Sequence, residues 1–189
     1  MNERFQKEIV RKSIHASGIF FIPFVFWHRT FFTIVFTIFL ITTLCVELAS
    51  KKGFSIPFLS KLAETCKREE EKNRLSRGAF FLLLAAIICP YLFGSTAAAI
   101  GLIQAFVGDS ASTLIGMKYG KTPLFFIKNK TWVGSLAFFL TSFVGSLIFV
   151  NPLHALLLAA VGMIIESVSP SGWDNLSVPV GVGFLAMWI

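Results

Sequence analysis

The chain has two aspartates, Asp109 and Asp174, and each stands at the edge of an apolar run. Asp109 sits in the stretch FVGDSASTLIGMKYGKTPLFFIKNKTWVGS, residues 106–135. A carboxylate at membrane depth costs about 2.5–3.5 kcal/mol on insertion scales, so an acid kept there marks a functional site by default. Glu166 ends a later run, and Asp109, Glu166 and Asp174 together offer the hard oxygens that Mg²⁺ takes alongside phosphate. The loop 118–130 carries Lys118, Lys121, Lys128 and Lys130, with Gly116, Gly120 and Gly134-Ser135 on its flanks. Lysines on a glycine-flanked loop suit an anionic ligand. The competing reading is structural: an acid paired with a loop lysine, and glycines that allow close helix packing.

The Gly116–Gly120 segment is not a P-loop. A Walker A motif needs four residues between its glycines and a strand before them, whereas here three residues follow an apolar helical run. No serine-histidine-acid triad is evident. The sequons at Asn129 and Asn175 fall on the charged side of the topology derived below and are discounted.

The elements that must position these groups are apolar helices. The chain has 189 residues, is 55% hydrophobic and contains 22 Phe. A soluble domain of this size would lack the polar residues to cover itself. Long apolar runs with short breaks exclude a β-barrel, which reads as short alternating segments. The expected architecture is all-α: one polytopic membrane domain over 1–189 with about seven transmembrane helices. The runs begin near residues 13, 31, 78, 96, 132, 153 and 176. The last is short and contains Pro179. Residues 51–77 are polar, with a helix start at Ser55-Pro57 and an apolar stripe of Phe58, Leu59, Leu62, Ala63 and Cys66. With the i,i+4 pairs Glu64–Arg68 and Glu70–Arg74, this segment reads as an amphipathic helix on the membrane surface. Three cysteines without a CxxC indicate neither a disulfide framework nor a zinc site.

The net charge of +7 is better read as positive loops beside anionic lipid heads than as a nucleic-acid surface. With the N-terminus in the cytoplasm, the inside segments 1–12, 51–77, 118–130 and 170–175 hold four, eight, four and no Lys or Arg, and the outside turns hold only Arg29. That asymmetry fixes an expected orientation. The same assignment gathers Glu47, Arg77, Asp109, Lys130, Glu166 and Asp174 at the cytoplasmic face. Lys7, Arg11 and His15, spaced by four, share one helix face. Glu47 has a bland alternative as a partner of Lys51 or Lys52.

In this order and spacing the residues resemble the CTP-dependent lipid kinase family: dolichol kinase, phytol kinase and CTP-dependent diacylglycerol kinase. The resemblance is carried by Arg11-Lys12 with His15, Glu47, Arg77-Gly78, Gly108-Asp109 with Gly116 and Gly120, Lys130-Thr131 with Gly134-Ser135, Glu166, and Asp174-Asn175-Leu176 with Pro179. Val133 and Met117 depart from the residues common in that family. The resemblance implies phosphoryl transfer from CTP to the hydroxyl of a membrane lipid alcohol, with a divalent cation and a cytoplasmic active site. It implies that Lys130, helped by Lys121 and Lys118, holds the triphosphate, and that Asp109 and Asp174, with Glu166, hold Mg²⁺. Gly108, Gly116, Gly120, Thr131, Gly134, Ser135 and Asn175 are then nucleotide contacts, and Arg11, His15, Glu47 and Arg77 further site candidates. Two alternatives stand beside it. A phosphatidate cytidylyltransferase would need further acids near the C-terminal end, and a small transporter would show repeated halves.

Overall fold

The computed structural model describes residues 3–54, 57–67, 71, 75–124 and 127–189, without the side chains of 127–129. The described residues form an all-α bundle carrying one small hairpin. A first helical passage, Glu3–Trp27, is built from α1 (Glu3–Ala16), a 3₁₀ segment (Ser17–Phe21) and α2 (Ile22–Trp27). The charged residues before the first apolar run are therefore helical too. Only His28 interrupts the chain before α3 (Arg29–Lys51). The segment α4 (Pro57–Cys66) follows, then α5 (Arg77–Leu92).

The third long passage, Gly94–Tyr119, is the centre of the bundle. It consists of α6 (Gly94–Ile103), a π turn (Gln104–Gly108) and α7 (Asp109–Tyr119). Phe93 alone separates it from α5, because Gly94 takes a positive φ of 78° that reverses the chain at once. Every residue from Ala97 to Ile103 is buried. At Gly101 a Cβ would lie 2.6 Å from the Pro179 carbonyl oxygen, so α6 and the last helix touch backbone to backbone. The remaining elements are β1 (Pro123–Leu124), β2 (Ile127–Thr131), α8 (Trp132–Ser146), α9 (Pro152–Val168) and α10 (Asp174–Ala186). Among the described residues three helical passages are long and apolar enough to cross a membrane, and α5, α8 and α9 are shorter apolar helices.

Two expectations change here. The basic loop 118–130 contains an antiparallel hairpin, with Pro123 opposite Thr131. Asp174 and Asn175 form the first turn of α10, not a loop. Ser55, Arg68, Glu70 and Arg74, invoked for the amphipathic segment, lie outside the described residues.

Contacts sort the turns into two ends. At one end Arg29 donates to the Pro90 carbonyl at 3.1 Å and lies 5.0 Å from the Tyr91 ring centroid. Ser95 donates to the Val25 carbonyl and Phe26 stacks on Phe149 there. At the other end lie Lys12 with Asp109, Glu47 with Ser76, Lys130 with Glu166, and Asn175 with Gly78.

Candidate active site

The π turn ends where Asp109 begins α7, and single π turns of this kind are frequent at functional sites. Asp109 is buried and meets the ammonium of Lys12, itself 2% exposed, from α1. His15, one turn further along α1, places Nε2 3.4 Å from the same carboxylate oxygen and 2.8 Å from the Ala105 carbonyl. Ser110 anchors the neighbouring turn by donating to the Phe106 carbonyl at 2.6 Å.

Glu166 arrives from the C-terminal end of α9 and Asp174 from the start of α10. Oxygens of Asp109, Glu166 and Asp174 all lie within 4.8 Å of one another, and all three residues are buried. Lys130, at the end of β2, is 2.7 Å from a Glu166 carboxylate oxygen and 3.6 Å from Asp174, and it also donates to the Glu166 backbone carbonyl. Ser112 donates to the same Glu166 oxygen at 3.2 Å. The other oxygen, Glu166 Oε2, is buried without a hydrogen-bond partner among the described residues. Ionised, three carboxylates against two ammoniums leave a net negative charge in a buried place, which favours a cation.

The structure thus gathers Asp109, Glu166, Asp174 and Lys130 from four separate elements. It distributes the other candidates differently. Gly116 and Gly134 pack α7 against α8: a Cβ on Gly134 would lie 2.9 Å from the Ser112 carbonyl oxygen, and one on Gly116 3.3 Å from Gly134 Cα. A Cβ on Gly120 would collide with the Gly116 carbonyl and Thr131. Gly108 faces α8 at Ser142. Thr131 is the N-cap of α8, its hydroxyl accepting from the Gly134 N–H at 3.2 Å. Ser135 meets Ser167 on α9 at 3.2 Å. Lys118 and Lys121 are exposed, and Lys118 stands over the Tyr119 ring.

Arg11 pairs with Glu8 at 2.7 Å, and Lys12 is the α1 cation that meets Asp109. Glu47 does not serve Lys51 or Lys52. Its two oxygens accept from the Ser76 N–H at 3.2 and 3.1 Å, with Lys67 at 3.9 Å. Glu71 accepts from the Arg77 and Gly78 N–H groups at 3.0 and 3.4 Å. Two buried carboxylates thus satisfy the open amides at the start of α5, where the helix dipole favours negative charge. Arg77 itself is half exposed beside Glu71. Asn175 donates to the Gly78 carbonyl at 2.8 Å, while its Oδ1 has no hydrogen-bond partner among the described residues. Sequence reasoning did not single out Lys12, Glu71 or Ser112 as site residues. For Lys12 a signal existed: it lies between Arg11 and His15 and three residues before His15, on the helix face that meets Asp109.

Relatives run along most of the chain. An uncharacterized protein of Methanocaldococcus jannaschii is 29% identical over 183 residues, covering 95% of this chain and 92% of that protein. A probable chloroplastic phytol kinase of Triticum aestivum is 26% identical over 208 residues, covering 96% of this chain and 67% of the wheat protein. A phytol kinase of Synechocystis is 28% identical over 148 residues, covering 71% of this chain and 60% of the cyanobacterial protein. No family model and no solved structure matches the chain. The lipid-kinase resemblance drawn from individual residues is therefore met by relatives that are named phytol kinase.

Proposed function

We propose that the protein is a membrane kinase that transfers the γ-phosphoryl group of CTP to the hydroxyl of a lipid alcohol of the phytol type. The observation that carries the reading is the buried Asp109–Glu166–Asp174 group with Lys130 and Lys12 on it. The names of the relatives supply the acceptor class.

Phosphoryl transfer asks a protein mainly for positioning and charge neutralisation. The alcohol oxygen forms a new bond to the γ-phosphorus. The bond from that phosphorus to the β,γ-bridging oxygen breaks, and CDP leaves with its electron pair. The alcohol proton passes to a carboxylate, for which Asp109 is the assigned acceptor. Lys130 is the assigned partner of the transferring phosphoryl group, since its ammonium already spans Glu166 and Asp174. Lys118 and Lys121 are exposed cations for the outer part of the triphosphate. Asp109, Glu166 and Asp174 would hold a Mg²⁺ ion: their donors are all hard oxygens, and Glu166 Oε2 has no other hydrogen-bond partner among the described residues. Bound there, Mg²⁺ supplies charge neutralisation for phosphate oxygens. The face carrying these groups is assigned to the cytoplasm.

The test is a reaction of the purified protein in detergent with γ-labelled CTP, Mg²⁺ and phytol. The expected products are labelled phytyl phosphate and CDP, absent for Asp109→Asn or Asp174→Asn in protein that remains folded. Pyrophosphate with a cytidylated lipid would move the protein to the cytidylyltransferases. No nucleotide product from folded wild-type protein, or full activity of Asp109→Asn, would overturn the assignment.

A further inference from the structure

A cavity of about 500 Å³ lies between α1, α3, α4 and α5 and is not used by the phosphate chemistry above. Lys12, Ser76 and Asn175 give it a polar side; Phe21, Phe36 and Phe106 line it elsewhere, and the His15 ring meets Phe106 edge-on at 6.2 Å between the two. Phe36 and Phe106 are 3% and 1% exposed, with ring centroids 6.1 Å apart, and Phe21 meets Phe36 edge-on at 5.6 Å. From Phe36 to Glu47, both on the cavity wall, α3 advances roughly 16 Å at 1.5 Å per residue. A third wall comes from α4, where Leu59, Ala63 and Cys66 face inward. On the α3 side Ile38 and Phe39 line the cavity and are 55% and 43% exposed, and Phe39 meets Phe21 and Phe36 at 6.0 Å, so the cavity reaches the outer surface of α3 beside the phenylalanines.

The polar side carries hydrogen-bonding capacity that the protein leaves unused. Asn175 is 4% exposed and lines the cavity, and its Oδ1 has no hydrogen-bond partner among the described residues. The hydroxyl of Ser76 is in the same condition. Leaving such groups unpaired costs about 1–3 kcal/mol each, which a ligand hydroxyl relieves. This side also touches the acid cluster. Asn175 follows Asp174 in the chain, and Lys12 lines the cavity while its ammonium lies on Asp109.

We propose that this cavity holds the acceptor: a single-chain isoprenoid alcohol, its hydroxyl donating to Asn175 Oδ1 and its tail running to Phe21, Phe36 and Phe106. The site deepens the kinase reading and rests on it for the word acceptor. The exposed Ile38–Phe39 edge, beside those phenylalanines, admits the alcohol from the membrane. A single cavity of about 500 Å³ suits one tail; a diacylglycerol brings two. The hydroxyl end then lies beside Asp109, which takes the proton as the oxygen bonds to phosphorus.

The experiment uses a phytol analogue with a photoreactive diazirine at its tail, added to the full chain in detergent without nucleotide. After irradiation the expected label falls on peptides holding Phe21, Phe36 or Phe106, and phytol competes it away while diacylglycerol does not. Ala63→Trp fills the cavity from the peripheral helix α4 and is expected to cut labelling about tenfold, raising the KM for phytol with the KM for CTP unchanged. Label on other helices, equal competition by diacylglycerol, or undiminished labelling of folded Ala63→Trp would overturn the site. Cavity labelling without any phosphoryl transfer would remove the kinase and keep an alcohol-binding site; transfer with labelling elsewhere would do the reverse.

Discussion

Lys12 and Asp109 are 97 positions apart in the chain and meet as one buried ion pair. A pair of this kind is weak evidence for net stability, because desolvating two charges offsets most of their attraction, but removing one partner leaves the other charge buried and uncompensated. Lys12→Met is therefore expected to lower stability by about 3–5 kcal/mol, read as an unfolding midpoint in detergent. The double variant Lys12→Met/Asp109→Asn carries no stranded charge. It is expected to regain most of the lost stability while showing no kinase activity. A double variant as unstable as Lys12→Met alone would mean that the lysine acts through packing. The carboxylates were legible in the sequence, since acids are conspicuous against an apolar background. Their partners were not. Lys12 sits among other basic residues near the N-terminus, marked only by its place three residues before His15, and Ser112 sits among other small residues of α7, where nothing local distinguishes it until the helices are packed.

The junction of α7 and α8 rests on glycines. Gly134 lies against the Ser112 carbonyl, and Ser112 in turn donates to Glu166, so the helix contact and the acid cluster share a residue. A methyl group on Gly134 would lie 2.9 Å from a backbone oxygen, which cannot swing aside as a side chain can. On Gly116 it would lie 3.0 Å from the Thr131 hydroxyl, which has some freedom to give. Gly134→Ala is expected to destabilise by about 1–3 kcal/mol and Gly116→Ala by less, with thermal unfolding of the two variants as the measurement. Equal midpoints for both variants and the wild type would return these glycines to a role as nucleotide contacts alone. Helix existence was legible from apolar periodicity, and the breaks at His28 and Gly94 from composition. The π turn before Asp109 was not: the stretch Gln104–Gly108 carries no local signal for it, and Gly108 there lies close against Ser142 and Phe138 of α8. The hairpin was hidden for a similar reason: β1 has only two residues.

At the scale of the whole molecule, one end of the bundle holds the carboxylates and nearly all the cations. Among the described Lys and Arg residues, only Arg29 lies at the end marked by Pro90, Tyr91 and Phe149. The charge count reached this partition before any contact was known, because loop length and basic residues alone decide orientation in a polytopic helical protein. Which run pairs with which was beyond it, since apolar helices of similar composition differ little to a one-dimensional reading. The partition argues for an acid end in the cytoplasm, where nucleotide is available, and the proposed function then has the alcohol enter from within the bilayer. A variant lacking Cys45, Cys66 and Cys89 makes this testable with single introduced cysteines. Asn151→Cys, in the turn between α8 and α9, is expected to react with a membrane-impermeant maleimide added to intact cells. Lys121→Cys, beside the hairpin, is expected to react only after the membrane is opened. Reversed labelling would put the acid cluster on the far side from the cell's nucleotide and remove the physical basis for a cytoplasmic kinase.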